Sequence, residues 1–136
     1  ADQLARVGVG DRVRILDRVG SEYVRICLDT VNSFGALEGP GVVVEALAPR
    51  TVNLHVKDFD VVRAAHNMGF VIEGRPAGQG RLDVEWLLRI LAQHDRDPNV
   101  VLELSTPPEA TMAATLAKED AWARQSVAYL RRFLPA

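Results

Sequence analysis

Apolar and polar residues alternate with a period of two in three short stretches, Tyr23–Asp29, Thr51–Asp58 and Asn99–Ser105, and segments of helical spacing lie between them. Before the first strand, Leu4, Val7, Ile15, Leu16 and Val19 recur at roughly helical intervals from Asp2 to Val19. Gly8 and Gly10 interrupt that segment and Asp11 is placed to cap a restart, so a broken helix is expected. Gly39-Pro40-Gly41 introduces a short helix from Val42 to Leu47, ended by Pro49. The run from Phe59 to Leu82 exceeds the ~2 to 6 residues of an ordinary strand-to-helix connection, which marks it as a functional loop. Within it Phe70, Val71 and Ile72 form a small extended piece, while Gly74, Pro76, Gly78 and Gly80 keep the backbone turning. Asp83 then caps a helix whose buried face is Val84, Leu87, Leu88 and Leu91, with Trp86 on its flank, and a last helix runs from about Lys118 to Leu134. The order αβαβαβα predicts an α/β fold, a parallel sheet with crossover helices.

Successive side chains of a strand point to opposite faces, so alternation also sorts the chemistry. Val24, Ile26 and Leu28, then Val52, Leu54 and Val56, then Val100, Leu102 and Leu104 form apolar rows. The opposite rows are Tyr23, Arg25, Cys27 and Asp29; Asn53, His55 and Lys57; and Val101, Glu103 and Ser105. An ordinary doubly wound sheet buries apolar residues on both faces, so a polar row on every strand calls for a barrel interior with a site at its mouth. Asp29, His55 and Glu103 lie at or near the carboxyl ends of their strands, where parallel barrels build their active sites. Two carboxylates and an imidazole suit Mn²⁺, Mg²⁺ or Co²⁺ better than a structural zinc, with Zn²⁺ still open. A divalent ion in such a set stabilises negative charge that develops on substrate oxygens, and a carboxylate beside it can shuttle a proton.

Composition narrows the partners. The 136 residues carry a net charge of −2, with both signs interspersed, so no cationic stripe is present for nucleic-acid phosphates. No stretch reaches the ~18 apolar residues of a membrane helix and the opening residues lack the features of a secretory signal, so no membrane partner and a cytoplasmic location are expected. The single cysteine, Cys27, excludes an internal disulfide and a Cys cluster for structural zinc.

Four blocks, CLDTVNS from Cys27 to Ser33, LHVKD from Leu54 to Asp58, GRPAGQGRLD from Gly74 to Asp83 and LELS from Leu102 to Ser105, resemble the sugar phosphate isomerase/epimerase family of xylose isomerase-like TIM barrels. Their order and spacing match its last three strands, and the likeness runs from Ser21 onward. The resemblance implies a partial (β/α)8 barrel: about the last three β/α units with a preceding helix, forming a single domain over residues 1–136. In that family Glu, Asp, His and Glu from four successive strands hold a divalent metal, and the two glutamates carry the proton. Carried over, Asp29 and His55 are metal ligands and Glu103 is ligand and acid/base, while the first glutamate belongs to a strand preceding this chain's first helix. Epimerases of the family commonly have His three positions after the aspartate; here Asn32 stands there, as in other branches, and is assigned to substrate binding. Arg63 is the approximate match for a substrate-binding arginine that follows the HxKD block.

Blander readings stand beside these. Taken alone, Asp29 would cap a turn, as Asp at a strand end usually does; aligned with His55 and Glu103 it is read as a ligand. Lys57 is a solvated strand end or a partner for a substrate carboxylate or phosphate. His66 belongs to the surface, Gly78-Gln79-Gly80 to a turn rather than a phosphate loop, and Cys27 to the interior as a small side chain. Phe34 and Phe70 pack in the core or form an apolar lid. A closed barrel needs about 250 residues, so three strands leave two open edges and a polar face without an opposite wall. A homodimer, or a complementing half-barrel, is expected to cover it. The function expected is a metal-dependent sugar or sugar-phosphate isomerase or epimerase acting on a small carbohydrate or hydroxy acid. The alternatives are a noncatalytic assembly domain and, against the charge pattern, an enzyme like endonuclease IV.

Overall fold

The computed structural model describes residues 7–134. Helix α1 (Val9–Val19) is followed by β1 (Ile26–Asp29), a 3-10 turn (Asn32–Ala36), α2 (Pro40–Leu47), a second 3-10 turn (Ala48–Arg50) and β2 (Thr51–Val56). Then come β3 (Asp58–Arg63), β4 (Phe70–Arg75), α3 (Val84–Gln93), β5 (Asn99–Leu102) and α4 (Met112–Leu130). The α/β architecture with a parallel sheet is the one expected. No helix among the described residues is long and apolar enough to cross a membrane.

The chain divides into two compact units. The first holds the residues up to Val56 together with Glu85–Val101. Its sheet has the order β1-β2-β5, with β1 and β2 parallel and in the register Cys27 to Asn53, Leu28 to Leu54 and Asp29 to His55. Leu28, Leu54 and Val56 are buried, as are Val43, Val44 and Leu47 of α2 and Leu87 and Leu91 of α3. Apolar positions of the first two rows thus turn inward as the alternation requires, whereas Val100 and Leu102 of the third row are half-buried. The rows are shorter than expected: β1 begins only at Ile26, which leaves Val24 outside it, and Val52 at the start of β2 is 40% exposed.

The expected break at the first helix does not occur after Val9, and the portion before residue 7 lies outside the described residues. Gly8 is the N-cap, Gly10 sits within the first turn, and Asp11 lies in that turn rather than capping a restart. The Val9 N–H donates to both carboxylate oxygens of Glu38, at 2.8 and 3.0 Å, so an acid from the loop before α2 neutralises the helix's positive end. Gly20 closes α1 at φ +60°, its N–H on the Leu16 carbonyl. Helix α2 starts two residues before its expected beginning because Pro40 fits the first helical turn.

The second unit comprises Lys57–Val84 and the residues from Leu102 on. Here the expected long loop is corrected. Residues 58–75 form an antiparallel hairpin, with Asp58 opposite Arg75, Asp60 opposite Glu73 and Arg63 opposite Phe70. The extended piece foreseen at Phe70–Ile72 is its second strand. Positive φ at Asn67 and Gly69 lets the chain reverse. Helix α4 begins at Met112, earlier than expected, because Thr111 caps it: its hydroxyl accepts from the Ala114 N–H at 3.2 Å. Ser126 of α4 is fully buried, and its hydroxyl accepts the Ala77 N–H at 2.9 Å, which ties the loop after the hairpin to the helix.

Candidate metal centre

Asp29 is the last residue of β1 and His55 its register partner on β2. Partners on neighbouring strands lie about 4.8 Å apart and send their side chains to the same face. A carboxylate and an imidazole are therefore set side by side at the end of a parallel strand pair. Asp29 Oδ1 accepts the N–H groups of Val31 at 2.8 Å and Asn32 at 2.9 Å. The turn-capping role weighed for Asp29 is thus real and fixes its rotamer; it uses one of the carboxylate's two oxygens. Asn32 opens the 3-10 turn with its side chain exposed. The hydroxyl of Thr30, a buried residue, lies 3.5 Å from the His55 carbonyl oxygen.

In the second unit, Lys57 Nζ lies 2.9 Å from Glu103 Oε1. Lys57 is only 8% exposed, which overturns the solvated strand end. A buried ammonium is costly without a counter-charge, and Glu103, directly after the last residue of β5, supplies it. Alternation placed both residues on polar rows without revealing the ion pair, because pairing across a sheet depends on register rather than on local sequence.

Asp58, the next residue, closes the LHVKD block. It is buried, and its carboxylate gathers four backbone N–H groups. Oδ1 accepts from Phe59 at 2.8 Å and Leu82 at 3.0 Å, and Oδ2 accepts from Gly78 at 2.8 Å and Gly80 at 2.9 Å. The Gly78-Gln79-Gly80 turn is therefore built around an internal acid. The signal in the sequence was a strand-end acid followed by closely spaced glycines, residues that leave their N–H groups exposed to a nearby anion.

The remaining candidates are dispersed. Arg63 stands at the turn end of the hairpin, its guanidinium 5.2 Å from the centre of the Phe70 ring and 3.1 Å from the Asn67 carbonyl oxygen. Phe70 is 64% exposed, so core packing does not hold for it, while Phe34 is half-buried. His66 is exposed in the hairpin turn, as expected, and accepts the Met68 N–H on Nδ1. Cys27 is exposed rather than buried, because its face of β1 is the polar one. Along the hairpin, Arg81 donates to Asp60 at 2.7 Å and Arg75 lies 3.7 Å from the same carboxylate. The Arg81 hydrogen bond holds the Asp60 carboxyl below the usual carboxylate range, helped by the Val61 N–H.

Known proteins agree with this architecture. A 3-oxo-isoapionate decarboxylase from Pectobacterium atrosepticum is 38% identical over 125 residues, 92% of this chain and 46% of that protein. The chain thus spans about half the length of the curated relative it matches. Among solved structures, a xylose isomerase-like TIM barrel protein from Mycobacterium smegmatis in complex with magnesium superposes with a TM-score of 0.63 at 11% identity. That likeness covers 89% of this chain and 40% of the other, and it speaks for the fold alone. The family model of the xylose isomerase-like TIM barrel matches residues 9–133, and with it the chain belongs to the xylose isomerase-like TIM barrel family.

Proposed function

We propose that this chain is the metal-binding part of an enzyme that converts a small carbohydrate or sugar acid through an enediolate, with Asp29, His55 and Glu103 as ligands. The observation that carries the reading is the pairing of Asp29 with His55 at the end of β1 and β2. Strand β5 is the next strand beyond β2, and Glu103 follows its last residue. Glu103 joins Asp29 and His55 by its chemistry: two carboxylates and an imidazole are a donor set that suits Mn²⁺, Mg²⁺ or Co²⁺ before Zn²⁺. When bound, the divalent ion supplies Lewis-acid stabilisation of negative charge on substrate oxygens.

The chain's own groups do the rest. Glu103 moves a proton to or from the carbon beside the carbonyl. Lys57, oriented by its ion pair with Glu103, attracts a substrate carboxylate or phosphate as a positive charge. Asn32 and Arg63 are assigned to outlying hydroxyl or acid groups of the substrate. In an isomerase or epimerase the proton leaves one carbon and returns to a neighbour or to the opposite face. The relative named as a decarboxylase favours a second form of the same chemistry. Breaking the bond between the carboxylate and the carbon beside a ketone releases CO2 and leaves the electron pair as an enolate, which then takes one proton at carbon.

The two forms separate in D2O with Mn²⁺ and a panel of ketoses and 3-oxo sugar acids. Deuterium entering substrate without CO2 marks isomerisation or epimerisation; CO2 release with one deuterium per product marks decarboxylation. Either is expected to vanish in Glu103→Gln. Absence of both across the panel, or full activity in Glu103→Gln, counts against the reading.

A further inference from the structure

We infer that Asp58 is a positioning residue that fixes Lys57, and through Lys57 the carboxylate of Glu103; the inference rests on the proposed ligand role of Glu103. Asp58 follows Lys57 directly, so whatever immobilises its backbone sets the direction of the lysine stem. Four N–H groups close on its carboxylate, from Phe59, Gly78, Gly80 and Leu82, at 2.8 to 3.0 Å. Charge-assisted bonds of this kind are short and strong, and here they are formed inside the protein. The loop that donates them has no slack. A Cβ on Gly80 would stand 2.2 Å from Asp58 Oδ1 and 2.3 Å from the Phe59 carbonyl oxygen, and one on Gly78 would stand 2.5 Å from the Tyr129 ring. The Phe59 carbonyl accepts the Arg81 N–H at 2.7 Å, and the Ala77 N–H is held by buried Ser126.

The chain leaving β2 is thereby pinned to the loop and to α4 within one residue of the lysine. Lys57 has a long flexible stem whose ordering costs entropy. A fixed backbone lowers that cost and holds Nζ 2.9 Å from Glu103 Oε1. Asparagine cannot reproduce the knot, since its amide offers one accepting oxygen and turns two donors of its own toward N–H groups.

The test is Mn²⁺ affinity by calorimetry on the purified chain, for wild type, Asp58→Asn, Lys57→Met and the double variant, with melting of the metal-free proteins as a check on folding. Groups that orient a ligand from behind typically change metal affinity ~10 to 100-fold. Asp58→Asn is expected to weaken Mn²⁺ by about tenfold, Lys57→Met to weaken it similarly, and the double variant no further, because both act through one carboxylate. A merely structural role would lower the melting temperature and leave affinity unchanged, or give additive losses in the double variant; either result overturns the inference. If wild type does not bind Mn²⁺ at all, the ligand reading fails and this inference with it. Should Asp58→Asn not fold, Ser126→Ala loosens the same loop from α4; unchanged Mn²⁺ affinity in that folded variant likewise overturns the inference.

Discussion

Glycine has opposite meanings at different places in this chain, and substitution separates them. A Cβ at Gly74 would lie 2.0 Å from the Ser105 carbonyl oxygen, a contact that only backbone movement relieves. Gly74→Ala is therefore expected to destabilise by ~1 to 3 kcal/mol, the range of overpacking. Gly10 has nothing within 4 Å and a helical backbone, so Gly10→Ala is expected to stabilise by about 0.5 kcal/mol through the unfolded chain. Urea denaturation of the two variants checks both signs. Charge has a similar local reading at Asp60, whose carboxyl is held low first by the Arg81 hydrogen bond. A carboxyl with a depressed folded value contributes stability above its ordinary value near 3.9, and the contribution is lost as pH falls through the lower folded value. Arg81→Met is expected to speed amide exchange in the hairpin at pH 7, with the difference from wild type disappearing once Asp60 is protonated in both. A difference that stays unchanged however far the pH is lowered below the ordinary carboxylate value contradicts this assignment.

At the scale of elements, β1, β2 and β5 and the buried face of α3 were legible, because period-two and period-3.6 patterns are local and the core enforces them. Their ends were less so: Tyr23 to Arg25 read as strand by composition, but only Ile26 onward finds a partner in β2. The hairpin was missed for a related reason. Asp58–Arg63 is rich in β-formers, yet its partner lies across a turn without an Asn-Gly or Asp-Gly pair, and antiparallel pairing leaves no local trace. The start of α1 depends on a residue remote in sequence, Glu38, which no reading of residues 7–16 alone discloses. Glu38→Ala is expected to lose about 1 kcal/mol, as for a lost helix cap, with exchange at the first turn of α1 rising first. Unchanged exchange there would show that the carboxylate contributes nothing to the helix.

For the whole molecule, the sheet order leaves β1 and β5 as edges among the described residues. Unpaired edges with a polar face invite a partner, and a two-fold copy of the same chain is the commonest solution. We therefore expect a homodimer in light scattering at micromolar concentration; a monomer throughout that range contradicts it. Of the candidate site, the pairing of Asp29 with His55 was legible, since they meet in register as alternation implied. The Lys57–Glu103 pair and the Asp58 knot were not, since the pair joins residues far apart in sequence and three of the four N–H groups on Asp58 come from residues at least 20 further along. We propose that Asp29, His55 and Glu103 bind one divalent ion. Titration of the chain with Mn²⁺, followed by the electron paramagnetic resonance of the free ion, tests it directly. One site per chain is predicted, lost in His55→Ala and in Glu103→Gln while both variants keep the wild-type circular dichroism; undiminished binding in either folded variant, or none in wild type, would contradict it.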